Sequence, residues 1–514
     1  MNRTNDQRND LLAPSYKKAS RSTLVGFSLL IAVVTTLLPD VGQAAVFNIS
    51  DGDVAGLIAA INTANSNGEA DTINLAAGGT YTLTAIDNAD NGLPIITSKI
   101  TINGSGATIQ RSSAAGTPNF RILRINAPTG DLTLNELIIR GGRTVGSGGG
   151  IFVHTGGINI ASTRLTLVNS TVSGNTATTG GGIDNEGTLT LVNSTVSFNT
   201  VTGSGDGGCI RNIAGVATLT NSTVSGNTAP HSGGGIQNFA TLTLTNSTVS
   251  GNTAGVAGGG MRNFATLTLV NSTVSGNTAP FGGGIYNNGT LTLKNTIVAN
   301  NSPTDCGGVI TSLGHNIVSD GSCGLPGSGD MNSTDPLLDI LAGNGGPTQT
   351  HALLSGSPAI DAVPLADCTD ADGNPITTDQ RGVARPQGTA CDIGAYEVEA
   401  EITVAIDIKP GSFPNSINPQ SKGVIPVAIL TTGTFDATTV DPTTVLFGPT
   451  GTEAAPVHSA LADVDEDGDT DMILHFNTQG TGIVCGDTSA SLTGETSGGE
   501  AIEGSDSINT VGCK

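Results

Sequence analysis

A nine-residue run near the end of the chain has the residue types and spacing of a metal site. Five aspartates occupy alternate positions in it: Asp463, Asp465, Asp467, Asp469 and Asp471. Gly468 stands at the sixth position. Carboxylates at positions 1, 3, 5 and 9 can surround Ca²⁺, a hard cation that prefers oxygen ligands, and glycine permits the sharp turn. The spacing predicts a structural calcium site, and the alternative is a solvated acidic hairpin turn.

Two further sets of residues are candidates for chemistry. Opposite charges lie close together in one stretch, at Asp379, Arg381, Arg385, Asp392 and Glu397. They predict an ion-pair and hydrogen-bond network, because neighbouring arginines keep carboxylates ionised and therefore unsuited to acid–base exchange. The six histidines show neither metal-ligand spacing nor a nucleophile partner, so we interpret them as surface or structural residues.

A repeat from residue 148 to residue 302 must provide most of the framework. Each unit reads GGGI, a spacer and a version of LTLVNSTVSGNTA. The Asn of the NST triplet, or of NTI in the last unit, recurs every 24 to 28 residues, at Asn169, Asn193, Asn221, Asn246, Asn271 and Asn295. This period is typical of stacked coils. Apolar residues alternate with Thr or Ser inside each unit, which indicates strands and not helices.

Superposed units give three apolar columns. The first contains Ile183, Ile210, Ile236, Met261 and Ile285; the second contains Leu167, Leu191, Leu219, Leu244, Leu269 and Leu293; the third contains Val172, Val196, Val224, Val249, Val274 and Val298. Three columns predict a coil of three short strands, each pairing in parallel with its copy roughly 4.8 Å above. The predicted fold class is therefore all-β, a parallel β-helix with an aliphatic interior.

Polar columns accompany the apolar ones. Two Asn columns, one from Asn175 to Asn301 and one from Asn185 to Asn287, predict ladders of side-chain hydrogen bonds along the coil axis. The alternative is that the Asn-Gly-Thr and Asn-Ser-Thr triplets are glycosylation sequons. The regular spacing favours the ladders. A third column, Asp184, Arg211, Gln237, Arg262 and Tyr286, is expected to point outward. An Asp184–Arg211 pair there would be a surface pair that contributes about 0 to 1 kcal/mol.

These motifs carry several resemblances to known families. GGGI followed by LTLxNSTVSGN resembles the right-handed parallel β-helix repeats of bacterial secreted proteins, and is more loosely similar to the GGAI and FxxN repeats of polymorphic outer-membrane proteins. DPLLDIL, DQRGVARP and CDIGAYE, within residues 335 to 397, resemble the choice-of-anchor Q domain, which implies a surface-associated protein. The acidic run is similar to the DxDxDGxxD calcium clasp of surface-protein repeats, and Leu474 at position 12 sets it apart from a full EF-hand.

The chain has the features of an exported protein. A polar, basic start is followed by the apolar run Thr23–Leu38 and the small residues before Ala45, which predict a secretory signal over residues 1–44; the alternative is an uncleaved membrane anchor. Seven cysteines are compatible with disulfides after export. Nearest-neighbour pairing predicts Cys306–Cys323, Cys368–Cys391 and Cys485–Cys513, and leaves Cys209 as a buried free thiol.

Composition excludes some partners. The net charge of −23 disfavours nucleic acid and anionic lipid. Aromatic residues make up 3% of the chain and there is no Trp, so stacking platforms for sugar rings or bases are scarce and a dedicated carbohydrate-binding module is not expected. After the signal, no membrane span is predicted, and the expected location is extracellular or on a bacterial cell surface.

The predicted domain plan has four parts after the signal. Residues 45–140 form an N-terminal helical cap, built on Val54, Leu57, Ile58 and Ile61, together with irregular first coils. Regular coils occupy 141–302, the last coils and the anchor-Q-like segment occupy 303–399, and a small β-sandwich with the calcium loop occupies 402–514. The sequence does not indicate the oligomeric state.

Two functions fit this plan. The first is a non-catalytic secreted or surface scaffold, adhesin-like or part of a matrix, which binds an extracellular glycan or protein. The alternative is a polysaccharide lyase or glycoside hydrolase acting on acidic extracellular polysaccharide. Such an enzyme needs acids converging with a base, or paired carboxylates. The regular coils contain only the acids Asp184, Glu186 and Asp206, without a neighbouring Lys. Residues 81–147 are the other place where an enzymatic site could lie.

Overall fold

The computed structural model describes residues 44–157, 162–203 and 207–513. The predicted signal, residues 1–44, lies outside them except for its last residue, and so does Asp206. Residues 46–332 form a parallel β-solenoid of about ten turns. Within the described residues no helix combines the length and the apolar character needed to cross a lipid bilayer.

Three parallel sheets build the described part of the solenoid. Sheet 1 contains Val46–Ile49, Ala70–Leu75, Thr80–Leu83, Lys99–Arg111, Asp131–Arg140, Arg164–Val168, Thr171–Ser173, Thr188–Val192, Thr195–Ser197, Val216–Thr220, Thr223–Ser225, Thr241–Thr245, Thr248–Ser250, Thr266–Val270, Thr273–Ser275, Thr290–Lys294, Ile297–Ala299, Thr311–Ser312, Ile317–Val318 and Met331–Asn332. Sheet 2 contains Leu123–Asn126, Ile151–His154, Ile183–Asn185, Ile210–Asn212, Ile236–Asn238, Met261–Asn263, Ile285–Asn287 and Cys306–Gly307. Sheet 3 contains Thr176–Ala177, Thr200–Val201, Thr228–Ala229 and Thr253–Ala254.

A regular turn has two strands in sheet 1, a long one and a short one, and one strand in each of the other sheets. Equivalent residues pair in register: Leu191 with Leu167 and Leu219, and Val196 with Val172 and Val224. The Leu, Val and Ile columns are buried in one continuous hydrophobic cluster. The prediction of aliphatic columns stacked between successive turns is confirmed. A regular coil therefore contains four strands where three were predicted, because sheet 1 is interrupted at the Asn of each NST triplet.

The Asn columns form the predicted ladders. In one of them Asn199 donates to Asn227 Oδ1 over 3.1 Å, and Asn227 donates to Asn252 Oδ1 over 2.9 Å. In the other, Asn212 donates to Asn238 Oδ1 over 2.8 Å. Left-handed backbone angles belong to a third column, the Asn of each NST triplet, with φ between 45° and 50°. Asn tolerates this conformation, so one residue type has two separate roles in each turn.

The outward-pointing column departs from the expectation. Asp184 and Gln237 are fully buried, and the partly buried Arg211 lies 3.6 Å from Asp184, so the pair is not the predicted surface pair. The cause is the glycine-rich corner between sheets 3 and 2, which lies directly over the outside of sheet 2. At Gly180 a Cβ would come within 2.7 Å of Asp184 Cβ, so only glycine allows this approach.

A helix lies at the start of the described chain. It spans Val54–Asn67, and the Asp53 side chain accepts from Gly56 N at its N-terminus. Its buried residues, Leu57, Ala60, Ile61 and Ala64, belong to the same hydrophobic cluster as Ile73 of the first turns. The predicted helix is confirmed, and it packs its apolar face on the apolar columns.

Residues 335–399, which we call the overlay segment, lie against the outside of sheet 1. They contain the antiparallel pair Leu338–Ala342 and Thr350–Leu353 and a 3₁₀ turn at Leu365–Asp367. Their apolar residues, including Ala359, Val363 and Ile393, form a cluster with the outward-facing Ile297 and Ala299. The order of the motifs predicts this segment after the last coils, and in the structure it turns back along them.

Residues 402–513 contain two four-stranded sheets and one short strand pair. The first sheet contains Ile402–Thr403, Val440–Gly448, Ser489–Thr496 and Ala501–Ser507; the second contains Ile406–Ile408, Val424–Ile429, Pro456–Ala462 and Asp471–Asn477; the pair contains Ser416–Ile417 and Asn509–Thr510. Two 3₁₀ turns, Ala437–Thr439 and Thr478–Gly480, complete the elements. Phe447 and Leu492 of the first sheet share a hydrophobic cluster with Val427 and Leu474 of the second.

The three predicted disulfides are present, at Cys306–Cys323, Cys368–Cys391 and Cys485–Cys513. Cys209 is a buried free cysteine, as predicted, and burial raises the pKa of its thiol above the usual value. A thiol in this environment is a poor nucleophile, because the thiolate is the reactive form.

Candidate functional site

The acidic run forms the turn of a hairpin between strands Pro456–Ala462 and Asp471–Asn477. The strands pair in antiparallel register, with Ala462 opposite Asp471, so the two ends of the run lie side by side. Glu466 and Gly468 have positive φ angles, of 62° and 99°, which bend the loop back on itself. The hairpin therefore brings the first and last aspartates of the run together.

Three of the five predicted ligands converge. Asp463, Asp465 and Asp471 each offer a carboxylate oxygen, and these oxygens lie within 4.8 Å of one another. Asp467 and Asp469 do not belong to this group. Asp467 instead accepts a hydrogen bond from Asp469 N over 2.9 Å, an interaction that supports the turn. The sequence predicted the loop, and the structure selects positions 1, 3 and 9 as the converging carboxylates.

Asp471 anchors the group. Its side chain is fully buried, whereas Asp463 and Asp465 are exposed. Its two oxygens accept from Thr431 N over 2.8 Å and from Val464 N over 2.9 Å. It has no Lys or Arg ion-pair partner among the ion pairs of the described residues. Backbone N–H groups alone therefore balance this buried negative charge.

Negative charges are crowded in the loop. The pKa of Asp465 lies above its ordinary value because of slight desolvation by the surrounding chain and the neighbouring charges of Asp467 and Asp471. The pKa of Asp407, on strand Ile406–Ile408, is also raised, by burial and by Asp506 and Asp465. Sequence analysis missed Asp407, since only the fold brings it near a loop more than 50 residues away. A cation placed between these groups would relieve the repulsion.

The donor set fits calcium. Two oxygens bound to one Ca²⁺ are separated by at most roughly 4.6–5.2 Å, twice the usual Ca–O distance. The 4.8 Å span of the three oxygens lies within this limit, and all three are hard carboxylate donors. An ion bound there would hold the hairpin ends together.

The charged residues of the overlay segment form the predicted network. Arg381 Nε lies 2.8 Å from Asp379 Oδ2, and Arg385 Nη1 lies 3.1 Å from Glu397 Oε2. Arg385 also donates to the carbonyls of Asp392 and Gly394, over 2.6 and 2.7 Å. Burial raises the pKa of Glu397 to about 7, against the attraction of Arg385. The network is enclosed in the overlay, so we assign it a structural role.

The two acids of the regular coils that the structure describes, Asp184 and Glu186, both have partners within the fold. Asp184 is buried beside Arg211 and accepts from Thr179 Oγ1 over 3.0 Å. Glu186 contacts His154 Nδ1 over 2.9 Å and accepts from Thr155 N over 3.0 Å, which stabilises a loop of the preceding turn. Both carboxylates are thus engaged in contacts between turns.

The histidines have partners that their spacing did not reveal. His351 lies between Ser250 Oγ and Asp339 O, at 2.8 and 2.7 Å. His315 contacts Asp367 over 3.2 Å, and the rings of His458 and His475, on paired strands, are 5.6 Å apart. Each contact depends on how strands and loops pack against one another, which the spacing of the histidines alone does not show.

The chain was compared with family models, with curated proteins and with solved structures. No family model, no curated protein and no solved structure matches it. The resemblances to the choice-of-anchor Q domain and to bacterial surface proteins therefore stay predictions, and the parallel β-solenoid with its three disulfides is established from the fold itself.

Proposed function

We propose that this protein is a non-catalytic extracellular scaffold, an adhesin-like or matrix component that presents the outer faces of a right-handed β-helix. In this interpretation each coil has three sides, the helix Val54–Asn67 caps the first coil, and the two C-terminal sheets form a small sandwich. The helix supports its role as a cap by burying Leu57 and Ile61 on the apolar columns, which would otherwise meet solvent.

One observation carries the proposal: both described carboxylates of the regular turns, Asp184 and Glu186, have partners within the fold. A lyase or hydrolase working on these turns needs acids free to meet a sugar. The polysaccharide lyase or glycoside hydrolase therefore stays the alternative.

Export and surface association are part of the proposal. Three disulfides support an oxidising location. The resemblance to the choice-of-anchor Q domain supports attachment to a cell surface, and the ligand would be an extracellular glycan or protein.

We also propose a structural role for Ca²⁺ at Asp463, Asp465 and Asp471. The ion would neutralise three carboxylates and hold the hairpin that bears them. Support comes from the spacing of their oxygens and from the buried charge of Asp471.

A product assay tests the scaffold function. The purified protein is incubated with pectin, alginate and other uronic-acid polymers, with and without Ca²⁺, while absorbance of unsaturated sugars and new reducing ends are measured. We expect neither product above the level of a heat-denatured sample. Steady formation of either product would establish the enzyme alternative.

A further inference from the structure

The overlay segment covers only part of the outer face of sheet 1. On the covered part, Thr223, Thr248 and Thr273 are at most 2% exposed. Gln380 lies over two of them, donating to Thr223 Oγ1 over 2.9 Å and accepting from Thr248 Oγ1 over 2.7 Å. In the earlier turns the equivalent Thr171 and Thr195 remain partly exposed. One continuous face thus has a covered half and an open half.

The open half is a groove of about 440 Å³. Its floor follows consecutive turns in register, from Thr82 to Gln110, Arg140 and Ser173. Three intervals of roughly 4.8 Å make this row about 14 Å long. Hydroxyl, amide and guanidinium groups line it, so the groove offers hydrogen-bond donors and acceptors along its length.

A strained aromatic residue stands at one end of the groove. Phe198 has a φ of 53° and its residue is 71% exposed. The same position in neighbouring turns is held by Gly174, Gly226, Gly251 and Gly276, all with positive φ. A bulky residue in this conformation costs free energy, and exposure of its ring adds no compensating burial. The Phe198 ring lies against Gly226 and lines the groove, which is what a stacking platform requires.

The groove also concentrates positive charge in an acidic protein. Arg140 is exposed; its Nε donates to Gln110 Oε1 over 2.8 Å, and the described structure gives it no carboxylate partner. Arg111 donates to the backbone carbonyls of Ser112, Thr117 and Pro118, which hold its charge in place without neutralising it. Burial and the neighbouring Arg143 lower the pKa of Arg111. Guanidinium groups without acidic partners are suited to binding carboxylates or sulfates.

We propose that this groove binds an anionic polysaccharide, with Phe198 stacking on a sugar ring and Arg140 binding an acidic group of the chain. A sugar ring has an apolar face for the phenyl ring and hydroxyls for Gln110, Thr82 and Ser173, and a uronate or sulfate group supplies the negative charge. The net charge of −23 disfavours double-helical nucleic acid, which carries one phosphate charge per roughly 1.7 Å of its length. The inference rests on the proposed extracellular scaffold and names the ligand class of one of its faces.

Calorimetric titration of the intact protein tests the proposal. The probes are oligogalacturonate, a sulfated heparin oligosaccharide, neutral maltotetraose and an oligothymidylate, all in EDTA so that calcium cannot bridge the components. We expect saturable binding of an anionic oligosaccharide and none of maltotetraose. Preference for oligogalacturonate would identify carboxylate as the recognised group, and preference for the heparin fragment would identify sulfate.

Three variants locate the site. Phe198→Gly restores the residue of the neighbouring turns, so its melting temperature should not fall, and affinity should drop at least tenfold. Arg140→Gln should reduce affinity to a similar extent. Phe281→Ala, which removes an exposed ring outside the groove, should leave binding unchanged.

Three outcomes would overturn the inference: no binding of either anionic sugar, full affinity in both Phe198→Gly and Arg140→Gln, or equal affinity for maltotetraose or oligothymidylate. Absence of binding in the calorimetric titration would refute the groove and not the scaffold function. The scaffold function is refuted separately, by degradation of a polymer in the product assay.

Discussion

The position of each aspartate in the hairpin decides which carboxylates of the acidic loop converge. Asp471 is buried and fixed by two backbone N–H groups, whereas Asp469, two residues earlier, is exposed and outside the converging group. Both are aspartates at alternate positions of one run, so residue type does not distinguish them. Their different positions in the hairpin account for the difference.

Neighbouring aspartates should therefore respond differently to mutation. In the native protein, Ca²⁺ at about 100 times its Kd should add about 2.7 kcal/mol to the free energy of unfolding of the region that bears the loop. Asp465→Asn should abolish the resulting rise in Tm. Asp469→Asn, with the same change of charge, should retain it. Differential scanning calorimetry with Ca²⁺ and with EDTA measures the Tm of the native protein and of both variants. A native Tm insensitive to Ca²⁺ would dismiss the site.

His351 should make the overlay sensitive to acid. Burial lowers the pKa of His351 below its usual 6.5, so the unfolded chain binds a proton before the folded chain does. Its contribution to the free energy of unfolding is complete above pH 6.5 and declines as the pH falls below that value. Glu397 acts in the opposite sense, because its raised pKa makes stability increase as the pH falls from about 7.

The difference between native protein and His351→Gln isolates the histidine, since Glu397 is present in both. Unfolding in denaturant from pH 7.5 to 5 should show a steeper loss of stability on acidification in the native protein. If the free energy of unfolding falls equally with pH in the two proteins, residues other than His351 cause the acid sensitivity.

At the scale of elements, stability comes from identical short strands stacked in register. Each turn contributes aliphatic residues to one cluster and Asn amides to two ladders, so a turn depends on the turns before and after it. Asn252 shows this dependence. It donates to Asn277 Oδ1 and to Val224 O and accepts from Asn227, so three successive turns use one side chain.

Asn252→Ala should lower the free energy of unfolding by about 1–3 kcal/mol, because buried donors and acceptors lose their partners. Asn288→Ala is the matched control, since Asn288 is exposed and lies outside both ladders. Denaturant unfolding followed by far-UV circular dichroism compares the two. Equal stability of both variants would mean that the ladders contribute little beyond what water offers.

At the scale of the whole molecule, the described chain has two large hydrophobic clusters. One runs through the solenoid from Ile49 to Leu325, and the other lies within the C-terminal sheets from Val404 to Ile508. The acidic loop joins two strands of the region that contains the second cluster, and the overlay segment packs on the solenoid. A ligand of the loop should therefore act on one unfolding unit.

Calorimetry of the intact protein should resolve two transitions, of which Ca²⁺ raises only the one assigned to residues 402–513. Asp465→Asn should remove that shift and leave the other transition in place, whereas Asn252→Ala should lower the other one. A single transition that both variants move together would show that the two regions unfold cooperatively.

The sequence by itself determined the stacked coils, the ladders, the disulfide pairs and the position of the acidic loop. These features depend on local period and on near neighbours in the chain, which a repeat displays directly. Only the tertiary structure decided that three aspartates converge, that Asp184 is buried, and that the overlay covers half of one face. Those outcomes depend on contacts between segments that share no sequence pattern. Gln380 and Thr223, for example, are 157 residues apart, and only the packing of the overlay on the solenoid brings them together.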